Sequence, residues 1–151
     1  MKAASIALAA LIALGAGSAA NAQEILADCG ASSGYSYFPT GPEPGWTEDG
    51  VTGGSLRFTV DRAGAPNIVF VDATGVQSDA AALGARMSFS HRNPARGEFG
   101  IVLVYPDLGL AETYNVVRLT DGRRRLLWTA NRPRPPQVDI IKVGAYTADC
   151  R

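Results

Sequence analysis

The chain is poor in the side chains that most often carry chemistry. It has one histidine, His91, and two cysteines, Cys29 and Cys150; beyond residue 22 its only lysine is Lys142. Metal sites draw on clustered His, Cys or carboxylate ligands, so this inventory points to no metal and no cofactor. The cysteines form no Cys-x-x-Cys pair, which excludes a catalytic dithiol of that kind. A Ser–His nucleophile pair would have to use His91. Gly30–Gly34 does spell G-x-S-x-G with Ser32 in the nucleophile place. That elbow needs a strand before it and a helix after it. Here a cysteine precedes it and the aromatic Tyr35-Ser36-Tyr37-Phe38 follows, so an esterase using Ser32 and His91 is not expected. Thr52-Gly53-Gly54-Ser55 lacks the lysine of a phosphate loop. No apolar run approaches the roughly 20 residues of a membrane helix. Neither a membrane span nor a nucleic-acid partner is expected.

What the chain does have begins with an address. Lys2 precedes an apolar run from Ile6 to Leu14, and Ala20-Asn21-Ala22 forms an A-x-A cleavage site. This is the pattern of a secretory signal peptide. Its removal leaves a mature chain from Gln23 and a periplasmic or secreted location. Leu26-Ala27-Asp28-Cys29 loosely matches a lipoprotein box. Asp28 occupies a place that wants a small neutral residue, however, and lipidation of Cys29 would orphan Cys150. In an oxidising compartment disulfides form and persist, and two cysteines allow one intramolecular connectivity, Cys29–Cys150. Its formation requires Cα atoms within about 7 Å, so the two ends of the domain must be neighbours.

After Ala22 the chain carries 13 basic and 14 acidic residues, unevenly spread. Gln23–His91 holds 8 acids and 3 bases, whereas Arg92–Arg151 holds 6 acids and 10 bases. The pattern is β throughout, and residues 23–151 read as one domain. Ser55–Val60 alternates apolar Leu56, Phe58 and Val60 with Arg57 and Thr59, as a half-buried strand does. Glu98–Tyr105 is apolar on both faces, which predicts a central strand. Ser78–Arg86 is the one candidate helix, with Ser78 or Asp79 as its cap. Pro133–Pro136 breaks the ladder as a stiff connector. Short antiparallel strands at regular spacing predict an all-β sandwich or flattened up-and-down barrel of about 7–8 strands.

Two surfaces are candidates for binding. Asp121-Gly122 is a strong hairpin signal. Taken as a two-residue turn, it pairs Arg118 with Arg125 and gathers Arg118, Arg123, Arg124 and Arg125 at one tip, extended by Arg132 and Arg134. That tip is either an anion-binding patch for an envelope polymer or acidic partner, or a solvated end whose arginines pair with nearby carboxylates. The second stretch, Gly34–Ser55, sets Tyr35, Tyr37, Phe38 and Trp46 beside Glu43, Glu48 and Asp49. Aromatics with carboxylates can make a carbohydrate-stacking or protein-binding surface. Core use, with Tyr35 and Tyr37 in the first strand and Trp46 covering one end of the core, is the commoner fate of such residues.

The run Cys29-x-Ala31-Ser32-x-Gly34-x-x-Tyr37, with Gly45-Trp46, Asp72–Gly75 and the closing Ala148–Cys150, resembles a group of small secreted bacterial proteins of unknown function. The resemblance spans the mature chain and implies no activity. Ser33-Gly34-Tyr35-Ser36-Tyr37 is also similar to the Ser-Gly-x-x-Tyr loop of periplasmic lysozyme inhibitors, which are small disulfide-tied β-barrels. Together these features point to a non-enzymatic binding domain for a protein or envelope polymer, or to an inhibitor of a cell-wall hydrolase such as lysozyme.

Overall fold

In a computed structural model, residues 23–39, 42–132 and 142–151 are described. The signal segment, the Pro133–Pro136 connector with Arg134, and the stretch 137–141 lie outside them. The described residues hold eleven strands rather than seven or eight: β1 (Glu24–Cys29), β2 (Ser32–Phe38), β3 (Gly45–Val51), β4 (Ser55–Val60), β5 (Pro66–Val71), β6 (Gln77–Asp79), β7 (Arg86–Asn93), β8 (Glu98–Tyr105), β9 (Leu110–Arg118), β10 (Arg124–Arg132) and β11 (Lys142–Cys150). Tyr35 and Tyr37 therefore belong to the second strand. The two strands that carry little apolar alternation, β1 and β3, account for much of the excess.

All eleven form one antiparallel sheet, with the order β6-β5-β4-β1-β11-β10-β9-β8-β7, and β2 and β3 branch from β11. The sheet curls into a half-barrel in which β5 and β7 come into contact. Its concave side holds the core. Phe58 of β4 reaches across to Phe99 of β8 at 5.5 Å and to Tyr114 of β9 at 5.6 Å. The alternation of β4 behaves as its sequence predicts, with Leu56, Phe58 and Val60 buried. Arg57 faces out and pairs with Asp28 at 3.0 Å. Glu98–Tyr105 is not central: β8 lies one strand in from the β7 edge. Its inward Phe99, Ile101 and Leu103 are fully covered while Val102 and Val104 are half-buried.

β11 organises the molecule. Along one edge it pairs with β10 over its whole length, and along the other it pairs first with β2 and then, at Cys150, with β1. β1 and β2 are thus two halves of one long strand, bent at Gly30-Ala31. β3 and β4 are likewise two halves, bent at Thr52-Gly53-Gly54, where Gly53 has φ +70. The bends separate two branches. β1 and β4 lead into β5 and close over the core, whereas β2 and β3 extend the β9-β10-β11 side.

Cys29 and Cys150 are direct cross-strand partners joined by a disulfide, with Cα atoms 4.0 Å apart. The neighbouring pair Asp28–Arg151 exchanges both backbone hydrogen bonds, at 3.2 and 2.8 Å. The cysteines therefore occupy a non-hydrogen-bonded site, where facing Cα atoms come closest in an antiparallel ladder.

The expected helix at Ser78–Arg86 is absent. β6 ends at Asp79, whose carboxylate accepts the Ala82 N–H at 3.0 Å as a helix cap would. A single turn follows, closed by Leu83 N–H donating to the Asp79 carbonyl at 3.1 Å. Gly84, at φ +87, then redirects the chain. A helix of one turn gains too few hydrogen bonds to offset its nucleation cost.

Candidate functional site

Strand pairing decides which side chains share a face. Across β3, β2, β11 and β10 the partners run Trp46–Tyr37–Val143–Asn131, then Glu48–Tyr35–Ala145–Thr129, then Gly50–Ser33–Thr147–Leu127. All of these point to the convex, solvent side of the sheet. Tyr35 is 54% exposed, Tyr37 36% and Trp46 66%. The expected core role for these three is therefore overturned. The core positions of β2 are filled instead by Ser32, Gly34 and Ser36, which leaves the alternate aromatics outside.

Tyr37 and Trp46 meet edge to face at 5.6 Å. The Tyr35 hydroxyl donates to Glu48 Oε1 at 3.3 Å. Beside them lies an open groove of about 960 Å³. Tyr35 and Glu48 form one wall and Leu127 stands opposite; the floor is the short side chains of Ser33, Ala145, Thr129 and Thr147. Tyr37 and Trp46, the next pair on the same face, continue the Tyr35–Glu48 wall two residues further along these strands.

Behind this face a polar cluster locks the edge strand in place. Asp49 of β3 turns inward. Its Oδ2 accepts hydrogen bonds from Ser36 Oγ at 2.7 Å, from the Tyr146 hydroxyl at 2.9 Å and from Lys142 Nζ. Its Oδ1 accepts the Gly50 N–H at 2.8 Å. Desolvation works to raise the Asp49 pKa, but the bonds from Lys142, Ser36, Tyr146 and Gly50 outweigh it and hold the carboxyl well below the usual range. The cluster spans three strands, because Asp49 reaches over Gly34, its partner on β2, to side chains of β11. A Cβ at Gly34 would stand 2.0 Å from the Ala145 carbonyl oxygen and 2.7 Å from the Tyr146 Cα. Only glycine permits this approach.

The arginine tip is arranged otherwise than the two-residue turn predicts. Leu119 N–H donates to the Arg123 carbonyl at 2.8 Å and Gly122 N–H to the Leu119 carbonyl at 3.0 Å. The loop is therefore Thr120-Asp121-Gly122, and the register slips by one. Arg118 faces Arg124, and Arg125 faces Val117. A two-residue type I′ turn needs positive φ at both central positions; Gly122 has φ +85, and no non-glycine residue among those described has positive φ. The slip splits the arginines between faces. Arg123 pairs with Asp121 and Arg125 with Asp149, each at 2.8 Å. Arg118 Nε donates to the Arg96 carbonyl at 3.2 Å, and Arg124 Nη1 crosses to the Leu26 carbonyl at 2.8 Å. Arg132, at the other end of β10, pairs with buried Glu112 at 3.1 Å. The four tip arginines thus do not form one open cationic surface.

Ser32 and His91 are not brought together. Ser32 is buried on β2 and its Oγ accepts the Val51 N–H at 3.2 Å. His91 lies on β7, reached from β2 only through β11, β10, β9 and β8. The Ser33–Tyr37 motif is not a loop: it sits within β2, paired to β11 on one side and β3 on the other. Among the described residues no three His, Cys, Asp or Glu side chains are grouped to hold a metal ion, and no helix is long and apolar enough to cross a membrane.

Sequence reading singled out Tyr35, Tyr37 and Trp46 without the groove beside them. The hydroxyl floor carries no motif, because its residues come from β2, β10 and β11. No family model matches this chain, and neither a curated protein nor a solved structure matches it.

Proposed function

We propose that the protein is an extracytoplasmic, non-enzymatic binding domain, exported by its signal peptide, whose partner seats on the outer face of β3, β2, β11 and β10. One observation carries this reading: Tyr35, Tyr37 and Trp46 stand together in solvent, Tyr35 on the wall of the groove and the other two just beyond it on the same face. Exposed aromatics in a cluster are costly to leave in water and are the common anchors of binding surfaces. The Cys29–Cys150 disulfide accords with a location outside the cytosol. The arginine tip is the weaker candidate surface, since Arg123 and Arg125 already have carboxylate partners.

The test is retention of envelope components on immobilised mature protein, compared with Tyr35→Ala and Trp46→Ala. Specific retention lost in both variants is the expected result. Retention equal to a blank matrix, or unchanged in the variants, rejects the site.

A second reading, inhibition of a cell-wall hydrolase, is favoured by Ser33, Tyr35 and Tyr37 sharing one exposed face. Lysozyme turnover should then fall as the protein approaches stoichiometry. Full turnover at large excess removes this alternative.

A further inference from the structure

The binding reading leaves the partner's chemistry open, and the groove narrows it. Its floor offers hydroxyls from Ser33 and Thr147 and the remaining capacity of Thr129, whose hydroxyl is paired with that of Thr113, with the Asn115 amide beyond Leu127 in the same row. Among the described residues the nearby cations are already engaged: Lys142 turns inward to Asp49, and Arg125 is bonded to Asp149. Of the two carboxylates among the described lining residues, Asp49 is bonded inward to Lys142, Ser36 and Tyr146, and Glu48 stands on the groove wall. Among the described residues a polyanion would meet a carboxylate with no free cation beside it, so charge disfavours it. An apolar peptide would desolvate the hydroxyl row without replacing its hydrogen bonds, which costs affinity.

An uncharged polyhydroxylated chain suits all of these features. Its hydroxyls can exchange hydrogen bonds with Ser33, Thr129, Thr147 and Glu48, and its C–H faces can lie on aromatic rings, whose faces carry negative charge density. Tyr35 and Tyr37, two residues apart on one strand, are spaced about 6.6 Å along it. Trp46 broadens the platform at the Tyr37 end. The aromatic wall is thus long enough to meet successive rings of a chain. Its edge strand is held by Asp49 through β2 to β11, so the platform is set before a ligand arrives.

We infer that this groove is a subsite for a neutral oligosaccharide, stacked on Tyr35, Tyr37 and Trp46 and hydrogen-bonded by Glu48 and the hydroxyl floor. The inference rests on the proposed binding function and specifies its ligand. The chain's two tryptophans supply a reporter, because Trp46 is exposed and Trp128 is buried.

The experiment titrates the mature protein with cello-, malto-, xylo- and chitohexaose, and with heparin as a polyanion, following tryptophan emission and calorimetric heat. A saturable response to at least one neutral hexasaccharide is expected. Tyr35→Ala and Trp46→Ala should each weaken it about tenfold or more, as loss of one good contact does, while Arg123→Ala leaves it unchanged. No heat with any of the four sugars, binding by heparin alone, or sugar binding indifferent to Tyr35→Ala and Trp46→Ala overturns the inference. If sugars fail while both variants still abolish retention of an envelope component, only the ligand class is wrong. If the variants alter neither, the site itself falls. Both residues are exposed, and circular dichroism checks that the variants remain folded.

Discussion

At the scale of single residues, Asp49 shows how one side chain can serve structure beneath a surface that serves binding. It neighbours Glu48, yet the pleat sends Glu48 to the groove and Asp49 to Ser36, Tyr146 and Lys142. Because its folded-state pKa is depressed, Asp49 stabilises the fold above the unfolded carboxylate pKa, and that contribution is lost as pH falls below it. Asp49→Asn should lower the melting temperature at neutral pH, where Lys142 loses its carboxylate. Between about pH 5 and pH 2 the variant should lose stability less steeply than the wild type. Thermal melts across that range check both parts, and parallel curves would contradict the assigned role. A fully buried acid, Glu112, is 2% exposed and accepts from the Tyr114 hydroxyl and from Arg132. Burial, and then the Glu112 charge, push the Tyr114 phenol well up, so it remains a donor.

At the scale of elements, the turn between β9 and β10 sets which arginines share a face. Its loop has three residues because only Gly122 takes a positive φ, and the extra residue shifts every pair by one. Gly122→Ala should cost about 1–2 kcal/mol, the penalty of left-handed backbone for an L-residue. Gly122→Asn should cost less, since asparagine visits that region more readily. Urea unfolding of the two variants measures the difference; an alanine variant as stable as wild type would rule out the three-residue turn. The same element logic explains β3. Its inward positions are Gly45, Thr47, Asp49 and Val51, so it buries almost no apolar surface and shows no alternation to read. It forms because β2 pairs in register with all seven of its residues and Asp49 ties it to β11.

At the scale of the whole molecule, β11 is the junction where both branches meet, and the disulfide closes its far end. The bridged cysteines are 121 residues apart, so the chain-entropy model places the stabilisation near its upper range of about 5 kcal/mol. That is comparable to the net stability of a small domain, about 5–15 kcal/mol. Replacing both cysteines by serine should therefore cost about 2–5 kcal/mol, read from urea midpoints beside the reduced wild type. A double variant within error of the oxidised protein would mean that the β1–β11 ladder and the Arg57–Asp28 pair hold the ends unaided. The aromatic ladder Tyr114–Trp128–Tyr146 runs across β9, β10 and β11, with ring centroids 5.5 and 4.5 Å apart. It continues the core toward the junction and stops where Gly34 and the Asp49 cluster begin.

Alternation and turn residues, which act over a few positions, were enough to specify an all-β, antiparallel chain and most of its strands. Two cysteines near opposite ends of the domain were enough to specify one bridge and the adjacency of the strands that carry it. Neither source of information reaches across the sheet. The side taken by Tyr35, Tyr37 and Trp46, the arginine register, and the assembly of a groove from β2, β3, β10 and β11 all follow from which strand lies beside which. A shift of one residue in pairing sends every side chain to the opposite face. That choice is made by long-range neighbours and by glycines such as Gly34 and Gly122, whose conformations only the folded chain specifies.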